Sequence, residues 1–311
     1  MVIRDRVTGG NTVLIVKDVV NDLGQIVASG QIDATVAQTL SNKEGNISAN
    51  QSVGIKAGSL DNSKGQIASA KDAVKLTVQQ ALLNQEGKVT AAKTLDVKAH
   101  SVDNQKGVLA GDALKLVTTA GQLNNYQGNI LANSNSEINV KGLDNQNGQI
   151  HSNATLNLDT NAYLLNNHQG SITSLQSMTV NSGELKNNEG LLQSSSDVTI
   201  STAGQSLNNQ STLSKGILAG GALSLDTGSL YNQQGTILSG KSAQVHSKEL
   251  QNASGSVQAV GDLSLVVSED IDNQAGSLLA GKALNLQAQI VNNSQTQTNG
   301  QGIQGQNIYL Q

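Results

Sequence analysis

The sequence predicts an all-β fold: a right-handed parallel β-helix of about 14 coils, each of 20–22 residues with three short strands. Three observations carry the prediction. The motif Asn-x-x-Gly returns about every 21 residues, from Asn21–Gly24 to Asn273–Gly276. Apolar residues stand at fixed offsets from that motif. The chain also lacks the aromatic residues that fill a thick globular core, with no Trp, no Phe and only Tyr126, Tyr163, Tyr231 and Tyr309 among 311 residues.

The motif asparagines are 21, 42, 62, 84, 104, 125, 145, 167, 187, 209, 232, 252, 273 and 293, and in twelve of the fourteen a Gly follows three residues later. Two residues before each Asn is an apolar residue, from Val19, Leu40 and Leu60 to Ile271 and Val291, which marks a core column. Two residues after the Gly comes a second column: Ile26, Ile47, Ile67, Val89, Leu109, Ile130, Ile150, Ile172, Leu192, Leu218, Ile237, Val257 and Leu278. Four residues after the Gly there is only Ala, Ser or Gly, as at Ala28, Ala49, Ala259 and Ala280, which suits a tight corner. Only the last coil, after Gly302, departs from both columns. Next comes an apolar-x-apolar pair, as in Val53/Ile55, Leu95/Val97, Leu114/Leu116, Leu156/Leu158, Val198/Ile200, Leu263/Leu265 and Leu284/Leu286.

A spacing of two places side chains on one face of a strand. Each coil therefore reads as three strands: one after the Gly, one at the apolar pair and one before the Asn. The Gly is expected to take positive φ at a corner. A second turn reads Gly-Asp or Gly-Lys, as in Gly111-Asp112, Gly261-Asp262 and Gly281-Lys282. The recurring Asn is expected to stack on itself as an amide ladder, since a carboxamide both donates and accepts; the other reading is a ligand-binding amide row. Strands about 4.8 Å apart would make fourteen coils a rod of about 65 Å, right-handed by the general preference of parallel crossovers.

One repeat domain is expected over residues 1–311, with 1–18 as a partial N-terminal coil and 19–311 as the Asn-x-x-Gly coils. Ile308-Tyr309-Leu310-Gln311 reads as the middle strand of an incomplete last coil, so the chain is expected to be a segment of a larger protein.

Composition narrows the function. The net charge is −4, charged residues make up 14%, and the only arginines are Arg4 and Arg6, which argues against a nucleic-acid partner. No run of 18 apolar residues exists, so no membrane span is expected, and Thr12–Val20 is interrupted by Lys17 and Asp18. The chain has no Cys.

The pattern apolar-x-Asn-x-x-Gly-x-(Ile/Leu/Val)-x-(Ala/Ser) resembles the 20-residue repeat of filamentous-haemagglutinin-type exoproteins. The resemblance covers Val19 to about Leu286 and is well seen at Leu143–Ser152 and Gly107–Leu116. It implies a β-helical stalk within a large bacterial protein exported by two-partner secretion, as an adhesin or a contact-dependent growth-inhibition toxin. The partners it implies are an outer-membrane secretion transporter and a host or bacterial cell-surface glycan or receptor. The chain departs from the family in showing no N-terminal secretion domain and no C-terminal toxin region, so export and toxicity are implied for a parent molecule.

No catalytic residue, metal site or cofactor is assigned. A polysaccharide-degrading β-helix needs clustered carboxylates. Asp61, Asp103 and Asp144 form a column before the Asn, but in alternate coils, about 10 Å apart, too far to share one calcium ion. They are expected to be a solvated outward row. His100, His151, His168 and His246 have no partner at metal-ligand spacing. Two insertions lengthen the same corner, within Asn209–Gly216 (loop 210–215) and Asn293–Gly302 (loop 294–301). Solenoid loops on one face often bind, although loop growth costs little entropy. The leading expectation is a non-enzymatic stalk displaying a distal adhesive or toxin domain at the cell surface. The alternative is that the segment itself binds glycan or receptor through its flank or these loops; a polysaccharide enzyme is the third.

Overall fold

The computed structural model describes residues 1–3, 5–298 and 300–311. Arg4, one of the two arginines, and Asn299, inside the 294–301 loop, lie outside the described residues. The described chain is all β, and every strand pairing described is parallel, as a parallel β-helix requires. It divides into two compact units, Met1–Ala154 and Thr155–Gln311.

Both units are built on one plan of three strand ladders. In Met1–Ala154 the first ladder holds the strands after the Gly, among them Gln25–Ala28, Asn46–Ala49, Gln66–Ser69 and Lys88–Ala91. Their register puts Ile26 on Ile47 and Ile47 on Ile67. The second ladder carries the apolar pairs, with Val53 on Val74 and Ile55 on Leu76. The third carries the residue before Asn, with Leu60 on Leu82 and Leu82 on Val102. In Ile32–Ser41 and Val53–Asp61 the second and third strands run on as one, with a register shift between Val36 and Thr39. Residues 1–18 add strands of the same kind: Arg6–Gly9 pairs with Gln25–Ala28, and Thr12–Val16 with Ile32–Val36. In Thr155–Gln311 the same ladders run from Ser171–Ser174, Leu156–Asp159 and Leu165–Asn166 to Gly302–Gln304, Asn307–Leu310 and Ile290–Asn292.

The core columns fall where period-2 patterning places them. In the coil that ends at Asn84, Ile67, Val74, Leu76 and Leu82 are buried, and so is Val78. Burial of each such side chain contributes about 1.5–3 kcal/mol, so a single coil gains its stability mainly from stacking on its neighbours. Val78 belongs to an inward position two residues beyond the apolar pair. It holds Val36, Ala57, Val78, Ala99, Thr118 and Val140 in one unit and Thr160, Ser182, Thr202, Thr227, Ser247 and Val267 in the other, all buried. The tyrosines stay out of the core: Tyr163 and Tyr309 are exposed, and Tyr126 and Tyr231 are half-buried.

Two expectations are corrected. The motif Gly does not supply the positive φ. The residue before it does: Glu44 at 53°, Lys64 at 56°, Glu86 at 55° and Gln127 at 55°. Each corner closes by a Gly N–H donating to the Asn carbonyl, as from Gly65 to Asn62 at 2.9 Å, with positive φ at the third residue, the pattern of a type II turn. Glycine is required for a different reason. A Cβ on Gly65 would lie 2.0 Å from the Asn42 carbonyl oxygen and 2.7 Å from Asn62 Oδ1. The stacked corners approach too closely for any side chain.

The second correction lies beyond the longer corner. Leu192 pairs with Ile217, which is buried, whereas Leu218 faces outward and Ala219, not Gly220, takes the small buried place. Here Gly216 is not the corner glycine. It is the first strand residue, aligned with Leu191, at φ 108°. Gly302 does the same at φ 87°, so Ile303 stands on Leu278 and restores the column after the last corner.

Candidate functional site

The Asn-x-x-Gly corner is the most repeated structure in the chain, and its asparagine is inward and buried. In Met1–Ala154, Asn42 Nδ2 donates to Asn62 Oδ1 at 2.7 Å, Asn62 to Asn84 at 2.7 Å, Asn84 to Asn104 at 2.7 Å and Asn104 to Asn125 at 2.7 Å. In Thr155–Gln311 the ladder runs Asn167, Asn187, Asn209, Asn232, Asn252, Asn273 and Asn293, at 2.6–2.8 Å. Each amide also meets the carbonyl of its own corner glycine where that glycine is present, as Asn84 Nδ2 to Gly87 O at 3.2 Å. The amide groups are turned into one another and are out of reach of a ligand. This is the corner ladder, not a ligand-binding row.

The aspartate column is also structural, and it is not simply solvated. Asp61 Oδ1 accepts the Ser63 N–H at 3.0 Å, Asp103 that of Gln105 at 3.1 Å, and Asp144 that of Gln146 at 3.0 Å. Asn124, Asn208 and Asp272 do the same for Tyr126, Gln210 and Gln274. These are Asx turns that open those corners. Asp61 also accepts the Ser63 hydroxyl at 2.6 Å and pairs with Lys43 at 3.3 Å. Burial pushes its carboxyl up, but the Ser63 hydroxyl, the Ser63 N–H and Lys43 outweigh burial and hold it below the usual value.

The histidines are not brought together. His100 is exposed in the bend after Thr94–Ala99 and His246 on a strand face, His151 meets Asn153 Oδ1 at 2.7 Å, and His168 meets the Asn188 carbonyl at 3.1 Å. Among the described residues no group of three His, Asp or Glu could hold a metal ion, and no helix is long and apolar enough to cross a membrane.

The 210–215 insertion, in contrast, forms a built feature. It consists of two successive turns. Ser211 takes φ 55°, and Thr212, in the place of the usual glycine, is buried and accepts the Thr236 N–H on Oγ1 at 2.9 Å. Lys215 N–H then donates to Thr212 O at 2.8 Å and closes a second turn in which Leu213 takes φ 51°. The Leu213 carbonyl accepts the Thr236 hydroxyl, yet its side chain is 74% exposed. A leucine held left-handed and bare of packing costs of order 1 kcal/mol, and the sequence signal for it is one apolar residue in a polar insertion.

Beside this loop, within Thr155–Gln311, a cleft of about 400 Å³ opens across the corners, lined by His168, Asn188, Glu189, Gln210, Gln233 and Gln234. No described residue of 294–301 lines it. Smaller hollows lie over Gly54, flanked by Asp33 and Lys75, at about 250 Å³, and beside Tyr309 and Asn285, at about 220 Å³.

The family model of the haemagglutinin repeat matches the chain seven times, over residues 6–43, 27–85, 73–126, 115–162, 157–218, 218–275 and 264–307. No curated protein matches the chain, and no solved structure does.

Proposed function

We propose that this chain, which belongs to the haemagglutinin-repeat family, is a non-enzymatic stalk segment of a large secreted bacterial surface exoprotein. Its coils would hold a distal adhesive or toxin domain away from the cell, after export through an outer-membrane two-partner secretion transporter. The observation that carries this reading is uniformity. The same buried Asn rung, close-packed Gly and Asx turn recur through each unit, and no position in them is singled out for chemistry. Residues 1–311 are read as one repeat domain. In the exoprotein displayed on cells, removing the coil Gln85–Asn104 should leave display and attachment intact. Intact display with attachment lost would end the reading of the segment as a spacer.

A second reading, compatible with the first, is that the flank itself binds a cell-surface glycan or receptor. The displayed Leu213 and the cleft beside it favour this. Deleting Leu213–Lys215 and Gln297–Gln301, with Thr212→Gly and Thr296→Gly, returns both corners to Asn-x-x-Gly and keeps Gly216 and Gly302 as first strand residues. Saturable binding of the chain to erythrocytes should fall with that deletion; unchanged binding would reduce the loops to tolerated growth.

A further inference from the structure

The cleft beside the 210–215 loop carries more than a general capacity to bind, and the ligand class assigned to it rests on the proposal that the flank is a binding surface. Its polar groups are half-used. His168 Nδ1 faces the Asn188 carbonyl, which can only accept, so Nδ1 carries a proton there. Asn188 Nδ2 donates to Asn208 Oδ1 at 2.8 Å, which leaves Asn188 Oδ1 to accept. Gln210 Nε2 donates to Gln233 Oε1 at 2.7 Å, which leaves Gln210 Oε1 to accept and Gln233 Nε2 to donate. Successive corners thus offer a mixture of acceptors and a donor, the complement of a row of hydroxyl groups, each of which does both.

Spacing and charge narrow the class. Rungs of a parallel stack lie about 4.8 Å apart, close to the length of one pyranose unit. The acid lining the cleft, Glu189, accepts Gln169 Nε2 at 2.9 Å, and Lys215 Nζ turns to the Glu189 backbone carbonyl at 3.4 Å. No cation is therefore aimed into the cleft to meet a carboxylate or sulfate, and Glu189 opposes one. Leu213 does not line the cleft, but its N–H donates to the carbonyl of the lining residue Gln234 at 3.4 Å, and its exposed side chain offers an apolar surface beside the cleft for the C–H face of a sugar ring. The geometry points to this cleft as a site for a neutral oligosaccharide lying along the stack, about one sugar per rung.

The test is calorimetric titration of the full chain with cellohexaose, maltohexaose, laminarihexaose and chitohexaose, with oligogalacturonate as the acidic counterpart. At least one neutral chain should bind saturably and more tightly than oligogalacturonate. Gln210→Ala with Gln233→Ala should weaken it about tenfold or more, as should Leu213→Ser, while Gln85→Ala with Gln105→Ala in the other unit should not. These side chains are outside the core, so circular dichroism should be unchanged. No saturable binding of any neutral chain, or binding indifferent to the cleft variants, overturns the proposal. Erythrocyte binding separates this failure from failure of the reading beneath it. Loss on deleting Leu213–Lys215 with Thr212→Gly and on periodate oxidation of the cells supports a saccharide. Loss on that deletion and on protease treatment, but not on periodate, keeps the loop as a binding element and overturns the saccharide. Indifference to the deletion overturns both.

Discussion

Replacing Gly65 with alanine places a Cβ 2.0 Å from the Asn42 carbonyl oxygen, a backbone atom that cannot swing aside. Overpacking of this kind should cost about 2–4 kcal/mol, read as a lower urea midpoint. The same corner is sensitive at its asparagine. Asn84→Ala removes the bonds to Asn62 and Asn104, each 2.7 Å, and leaves Asn104 Oδ1 buried without its donor. About 2–4 kcal/mol should be lost. Both positions stand out in the sequence as columns, but only the Asn column shows its reason there. An amide that recurs every coil suggests a ladder on chemistry alone. The glycine suggests a φ requirement, and the real cause, contact with the coil before it, is a distance between stacked backbones that no single coil contains.

At the scale of strands and corners, the Asp61 carboxylate joins the third-ladder strand to the turn after it. Its folded pKa lies below the ordinary value, so its contribution is present above the ordinary carboxylate range and is lost as pH falls through the folded pKa. Asp61→Asn keeps an oxygen for the Ser63 N–H but gives up the Lys43 partner at 3.3 Å. Wild type should therefore exceed Asp61→Asn in urea resistance at pH 7, and the gap should close as the pH is lowered through the folded pKa of Asp61. Three strands per coil are legible in the sequence because apolar pairs such as Leu95/Val97 and the residue before each Asn keep period 2. The third inward position is harder to see. In four successive coils it is held by Thr160, Ser182, Thr202 and Thr227, polar residues whose hydroxyls turn to backbone carbonyls, as Thr227 Oγ1 does to Gln205 O at 3.0 Å. The register after the 210–215 loop escapes the sequence for a related reason: a glycine at the end of an insertion can begin a strand as well as close a corner, and only the pairing of Gly216 with Leu191 decides.

At the scale of the whole molecule, each unit repeats one coil plan, and the haemagglutinin-repeat match recurs along the chain from residue 6 to residue 307. The cleft beside Leu213 is legible in the sequence only as a longer loop, because its lining comes from corners about 20 residues apart in sequence that stacking brings side by side. The central claim is that the coil is the working unit, interchangeable and stable through its neighbours, so that the chain serves by its length. The most direct measurement is the thermal unfolding of a variant lacking Gln85–Asn104, which joins Asn84 to Gln105 and keeps the corner Asn84-Gln105-Lys106-Gly107. An intact β spectrum and cooperative unfolding within about 5 °C of wild type are expected. Loss of the β signal, or unfolding without a cooperative transition, would contradict that claim.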